Sequence, residues 1–354
     1  MDHIKHLPGR LGRPDSTLLD DPRLDPRIRA VYETVGLASY DAPGAEAGID
    51  ACRAFCAEFE AAGEITFEAQ RAAMPKLDHV ERRTETITGA DGNEITLHVH
   101  KPSNVTESVP CILHTHGGGM VVMTAEDPMF VRWRDALAGE GLVVVGVEFR
   151  NGGGRLGNHP FPAGLNDCAT AARWVHEHRD ELGISGIVIS GESGGGNLCI
   201  ATTLKAKQEG WLDAISGVYA FCPYISGEYA NPPAELLSLR ENDGYMLDCK
   251  LMGSMVRVYD PEGQHGANAL AWPLQADTDL LAGLPPHVIS VNELDPLRDE
   301  GLAFFRKLLA AGVPVTARTV HGTPHAGDLG MPDVNPETFA DSLRSLVAFA
   351  RSVA

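Results

Sequence analysis

Residues 186–210, GIVISGESGGGNLCIATTLKAKQEG, narrow the fold more than any other stretch of the chain. A β-branched run leads into a glycine-rich turn with a serine at its apex, and a helical pattern follows. Gly191, Ser193 and Gly195 spell G-x-S-x-G in the strand-to-helix setting where that motif describes a nucleophile elbow. Glycine is needed on both sides of such a serine, because a Cβ in so tight a turn would strike the neighbouring strand or helix. Ser193 then stands clear of the backbone. The N–H of Gly194, at a helix start, has no intrahelical partner and faces any negative charge that develops nearby. The motif is short, and an idle serine in a glycine-rich turn is the alternative to weigh against it.

The flanking patterns say what kind of sheet carries the elbow. ERRTETITG and EITLHVHKP, on either side of Ala90-Asp91-Gly92-Asn93, predict a β-hairpin from residue 81 to 102. Further strands are expected at 111–117, 142–150, 186–191, 215–225, 285–295 and 314–322. Helices are expected between them at roughly 126–140, 165–183 and 298–312, with a closing helix from about 336. This alternation predicts an α/β fold: a mostly parallel sheet with helices on both faces. Two stretches break the rhythm. In residues 1–80, Asp25-Pro26 reads as a helix start, and AGIDACRAFCAEFEAAG (47–63) sets Ile49, Cys52, Phe55, Cys56 and Phe59 on one helical face. Residues 226–283 hold a helical stretch near 246–259 and read as an insertion over the sheet's edge.

A second motif sharpens the first. His116-Gly117-Gly118-Gly119 ends the strand at 111–117, and three successive glycines let the backbone turn its N–H groups into one pocket. Gly117, Gly118 and Gly194 are the expected oxyanion donors, with His116, Gly119, Gly191, Glu192 and Gly195 supporting the two motifs. For the remaining partners the chain order to seek is serine, acid, histidine. Asp295 falls at the carboxyl end of the strand at 285–295, and His325 falls in the loop after the next strand, where active sites of open α/β sheets lie. Glu293, Asp299 and His321 compete for the same roles. Glu293 and His321 are expected within or against strands, while Asp299 and Glu300 read as first-turn residues that favour a helix dipole.

Other signals point less far. Gly152, Gly154 and Gly157 form a literal G-x-G-x-x-G, but Asn158-His159-Pro160-Phe161-Pro162 stands where a dinucleotide site needs a helix. His98 and His100, and His114 and His116, share strand faces without a third ligand at metal spacing, so no metal and no cofactor is expected. The seven cysteines read as mostly buried reduced thiols. A net charge of −19 repels phosphate backbones and anionic headgroups, which argues against nucleic acid and membrane partners. No apolar leader or membrane span is visible, and a cytoplasmic location is expected. A small-molecule ester is the expected partner, and a homodimer stays open.

HGGG (116–119), FPAGLNDC (161–168), GESGGG (191–196), DPLRDEG (295–301) and the histidine loop together resemble the hormone-sensitive-lipase family of α/β-hydrolases, over roughly residues 90–350. The resemblance implies an eight-stranded sheet and a helical cap. Residues 1–80 and 226–283 would form the cap, over a catalytic core of 81–225 and 284–354. It implies carboxylester hydrolysis without a cofactor, through Ser193, His325 and Asp295. Two departures from the family pattern stand out: Ala326 follows the histidine where glycine is usual, and Glu192 replaces an aspartate in the elbow. A closed, modest apolar pocket under the cap would favour acyl chains of about two to six carbons. Removal of a lactone or acetyl group from a bulky natural product is the alternative within enzymes. A non-catalytic small-molecule receptor is the alternative outside them, since plant gibberellin receptors keep this fold but lack the histidine.

Overall fold

Strongly β-branched runs pair into one eight-stranded sheet in the computed structural model, which describes residues 7–37 and 40–354. Its strands are β1 (Val80–Thr88), β2 (Glu94–Pro102), β3 (Val109–Thr115), β4 (Val143–Glu148), β5 (Ile184–Glu192), β6 (Gly217–Phe221), β7 (His287–Leu294) and β8 (Val315–Pro324). They lie side by side in the order β1-β2-β4-β3-β5-β6-β7-β8. The hairpin β1–β2 and its junction with β4 are antiparallel, and every other pairing is parallel. The expected α/β sheet is therefore observed, with the elbow strand β5 at its centre.

Burial follows the period of two that a strand imposes. Cys111, Leu113, Val143, Val145, Ile187 and Ile189 point into one core, which the helices Ala163–Glu177, Gly194–Glu209 and Arg298–Ala310 cover. Ile112, Val144, Val188, Tyr219 and Phe221 point into the other, under Pro128–Gly139 and Pro336–Val353. Both faces are dry, as a parallel sheet requires. The helix expected at 165–183 stops at Glu177, and a separate turn, Arg179–Leu182, follows and ends on the left-handed Gly183.

The labels used below are α1 (Pro26–Val35), α2 (Ile49–Ala73), α3 (Pro128–Gly139), α4 (Ala163–Glu177), α5 (Gly194–Glu209), α6 (Cys249–Tyr259) and α7 (Arg298–Ala310). Asp25 caps α1 by accepting the Arg27 N–H at 2.8 Å. The helix α2 runs ten residues past the expected end at 63. Its buried Glu60 carboxylate accepts the N–H groups of Met123 and Arg155, each at 2.7 Å, which ties the helix to the loops beyond β3 and β4. Met1–His6, Ala38 and Ser39, all within the 1–80 segment, lie outside the described residues. The 226–283 insertion rises over the carboxyl edge of the sheet, beside Ser193 and His325. It leaves the central strand β6 and returns to its neighbour β7, and its residues 246–255 wall the same cavity as Ser193. The N-terminal segment packs on it: Leu18, Leu24 and Ile28 cluster with Tyr245, and Arg23 bridges Asp21 and Glu241.

Candidate active site

The elbow forms where β5 meets α5. Ser193 sits between them with φ 57° and ψ −119°, a conformation that costs a non-glycine residue on the order of 1–3 kcal/mol and persists only where its surroundings hold it. Its N–H donates to Phe221 O at 3.0 Å and its carbonyl accepts from Tyr224 at 3.1 Å, so the end of β6 fixes the turn. A Cβ on Gly191 would fall 2.4 Å, and one on Gly195 1.9 Å, from the Thr115 carbonyl oxygen. The two glycines of the motif are there because β3 passes that close.

The acid and the base hang from the next strands. Asp295 follows β7 and is fully buried, and its Oδ2 meets His325 Nδ1 at 2.7 Å. Its Oδ1 accepts the Leu297 N–H at 2.9 Å, which fixes the carboxylate's rotation. With Nδ1 engaged, the other ring nitrogen of His325 is left for Ser193, and both residues line one cavity. Burial pushes the His325 pKa down. The Asp295 carboxylate and the Cys222 thiol outweigh that and hold it well above 6.5.

The competing residues are engaged elsewhere. His321 is exposed and pairs with Glu293 at 3.1 Å, and the same carboxylate accepts the Gly322 N–H. Asp299 and Glu300 do more than favour the α7 dipole. Asp299 accepts the Ser238 N–H at 2.8 Å. Buried Glu300 accepts the Ile225 N–H at 2.7 Å and the Tyr229 hydroxyl at 2.9 Å, which anchors the start of the insertion. His98 and His100, left over as paired strand histidines, face Glu126 and Asp135.

The glycine loop differs from expectation at one position. The Gly117 N–H donates to Glu192 Oε1 at 2.8 Å and so is not free for an oxyanion. Glu192 Oε2 lies 3.0 Å from His114 Nε2, so this carboxylate braces the loop from both sides. No hydrogen bond among the described residues uses the amides of Gly118, Gly119 or Gly194. A Cβ on Gly194 would fall 2.6 Å from the Gly119 nitrogen, which shows how closely the loop and the elbow helix approach. Gly118, at φ +100°, has no room for a side chain: its Cβ would lie 2.1 Å from Val122 O. His116 shapes the loop rather than entering it, with Nδ1 2.7 Å from the Gly117 carbonyl and its ring stacked on Phe149.

Two features of the site carry no sequence motif. Cys222, one of the seven thiols, follows β6 with φ 33° and lies against the pair: one donor atom each from Cys222, Asp295 and His325 falls within 4.8 Å of the others. Burial pushes its pKa up. Its place at the carboxyl end of the strand beside the elbow was the only available hint. The cavity in front of Ser193 has a volume of about 220 Å³ and is walled by Phe59, Phe130 and Tyr224 together with Met123, Met129, Met246, Met252 and Met255. Of the helical stripe read from 47–63, Phe59 reaches this cavity while Cys52 and Cys56 are fully buried in the core.

A serine on a strained strand-to-helix turn, with a buried Asp–His pair on the following strands of a mixed eight-stranded sheet, defines an α/β-hydrolase. The chain belongs to that family: the model for the alpha/beta hydrolase fold matches residues 112–328. Among solved structures, brefeldin A esterase, described as a bacterial homologue of human hormone-sensitive lipase, is 46% identical with a TM-score of 0.91, over 97% of this chain and 98% of that one. The esterase Est22 is 37% identical with a TM-score of 0.84, over 95% of this chain and 99% of that one. Esterase LipI of Mycobacterium tuberculosis is 29% identical over 94% of this chain and 97% of its own length.

Proposed function

We propose that this carboxylic ester hydrolase works through Ser193, His325 and Asp295 and acts on short-chain apolar esters. The observation that carries the reading is the 2.7 Å contact of buried Asp295 with His325 Nδ1, at the wall of the cavity that holds Ser193. Ser193 Oγ attacks the ester carbonyl while the free nitrogen of His325 takes its proton. The Asp295 carboxylate holds the tautomer and stabilises the imidazolium. The amides of Gly118, Gly119 and Gly194 meet the oxyanion, and losing one such donor costs about 3–4 kcal/mol of transition-state stabilisation. His325 then protonates the departing alcohol, and water repeats the sequence to free the acid.

The cap assignment, 1–80 with 226–283, belongs to the same proposal: Phe59 from the first segment and Met252 from the second wall the cavity together. An apolar cavity of about 220 Å³ supports acyl chains of two to six carbons, because each added methylene gains only about 0.8 kcal/mol and must find room. Rates over a series of p-nitrophenyl esters test this, with a maximum expected at or below six carbons. A flat profile to twelve carbons would remove the short-chain reading. The likeness to brefeldin A esterase over nearly the whole chain supports one second reading, removal of a lactone or acetyl group from a bulky natural product.

A further inference from the structure

A second cavity, of about 250 Å³, lies against the first and is walled by Arg10, Asp15, Ser16, Thr17, Tyr40 and Asp248, among others. Met246 lines both. This side chain is held in place by unusual means. Its backbone is left-handed, φ +72°, between Tyr245 and Leu247, which face each other across a tight turn closed by the Gly244 N–H to Leu247 O bond at 2.9 Å. Tyr245 anchors that turn, fully buried, with its hydroxyl 3.1 Å from Asp21 Oδ2. The Tyr32 hydroxyl donates to Met246 Sδ at 2.9 Å. A methionine held by strain, by a buried tyrosine and by a hydrogen bond to its own sulfur forms a partition set in place by its neighbours, and a thioether chain adapts readily to what it touches.

We propose that the two cavities are one substrate tract, divided by Met246, and that the outer one is a subsite for neutral hydroxyl or carbonyl groups remote from the scissile ester. The inner walls offer almost nothing polar beyond Ser193, His325 and Glu192, and the Glu192 carboxylate is occupied by Gly117 and His114. The outer walls carry a guanidinium, two carboxylates and three hydroxyls. Asp248 caps a helix through the Leu251 N–H, and Arg10 and Thr17 are bonded to Asp243 and Asp20, which leaves the Asp15 carboxylate and the Tyr40 hydroxyl as the groups a ligand would meet first. Mixed charge at close range suits a neutral group that both donates and accepts, and an anion would meet Asp15 and Asp248 as well as the −19 of the whole chain. The class of substrate is an ester with a short apolar reacting end and a hydroxylated far end. This rests on the esterase reading above.

The test compares three acetates: ethyl acetate, octyl acetate and 8-hydroxyoctyl acetate. The hydroxyl-ended ester is expected to exceed octyl acetate in kcat/KM by about fivefold, and Asp15→Ala to bring that ratio towards one. Met246→Trp, which thickens the partition, is expected to lower the octyl-to-ethyl ratio about tenfold. Met246→Ala, which only shortens it, should raise the ratio and keeps the experiment readable if the tryptophan fails to fold. Equal rates on the two long esters, or ratios unmoved by both Met246 variants, overturn the tract while wild-type turnover of ethyl acetate persists. A wild-type protein that neither hydrolyses ethyl acetate nor reacts with a fluorophosphonate overturns the esterase reading, and the tract falls with it.

Discussion

Glu192 and Gly117 share a 2.8 Å hydrogen bond from the glycine N–H to the carboxylate, and it joins the elbow to the oxyanion loop at the point where the two must keep a fixed distance. The same carboxylate reaches His114 at 3.0 Å, and all of these groups are buried. Glu192→Ala leaves a buried donor without a partner, a cost of about 1–3 kcal/mol. The variant is expected to melt several degrees lower and to lose kcat more than KM, with Glu192→Gln recovering part of both. A Glu192→Ala enzyme with wild-type Tm and kcat would show that the loop is held by something else.

Ser193→Ala should keep the fold and lose about 10⁴-fold or more in turnover, since nucleophile and base act as one unit. His325→Ala is expected to do nearly the same damage. His321→Ala should stay close to wild type, because that side chain is exposed and pairs with Glu293 rather than with Asp295. Steady-state rates on one p-nitrophenyl ester settle it, and a dead His321→Ala beside an active His325→Ala reverses the assignment.

The pH profile follows from the direction of the His325 shift. Burial lowers its pKa, Asp295 and Cys222 more than restore it, and the folded value stands well above 6.5. Turnover needs the neutral ring, so kcat/KM should rise along a limb centred above 6.5, higher than an unperturbed histidine would give. Stability has the opposite sign. A raised folded pKa stabilises fully below the unfolded value, and this contribution fades as pH climbs through the folded one. A limb centred at or below 6.5 would count against the Asp295 contact in solution.

Glu300 gives a second titration with its own window. Burial pushes its pKa up to about 8, against hydrogen bonds from Ile225, Ser226 and Tyr229 that favour the charged form. Between about 4.5 and 8 the folded chain keeps a proton that the unfolded chain has released, so stability falls as pH rises through that range. Glu300→Gln removes this dependence. Urea unfolding at several pH values should give a flatter curve for the variant, and parallel curves would mean that Glu300 holds no proton.

The backbone at Ala326 shows why glycine is usual after the histidine. It lies at φ 52°, ψ 19°, the left-handed region that glycine enters freely, while its N–H donates to Asn292 Oδ1 at 3.2 Å. Left-handed geometry costs an alanine about 1–2 kcal/mol, and glycine loses about 0.4–1 kcal/mol more chain entropy on folding. Ala326→Gly is therefore expected to raise stability by up to about 1 kcal/mol, read as a higher Tm. A lower Tm would mean that the methyl's packing outweighs the strain.

Much of this was legible because tight geometry leaves few residue choices. Gly191 and Gly195 are dictated by the approach of β3, the turn at Ser193 by the end of β6, and Asp295 and His325 follow the carboxyl ends of β7 and β8, so motif and strand order placed them. The Gly117 assignment failed because a motif shows how many amides a glycine loop exposes, but not which one a distant carboxylate captures. Glu192 is 75 residues from Gly117 in the chain. Cys222 and the methionine walls were invisible for a related reason: packing against a site leaves no spacing in the sequence. The insertion's prolines and irregular pattern marked a departure from the sheet, but nothing in their spacing showed which of its residues would wall the cavity.

Five of the chain's nine methionines, Met123, Met129, Met246, Met252 and Met255, face the cavity before Ser193. A peroxide that enters this space meets five thioethers around the serine, and each sulfoxide formed sets a polar, chiral group into an apolar wall. The enzyme should thus be silenced by oxidants while its sheet remains intact, and methionine sulfoxide reductases could return it to service.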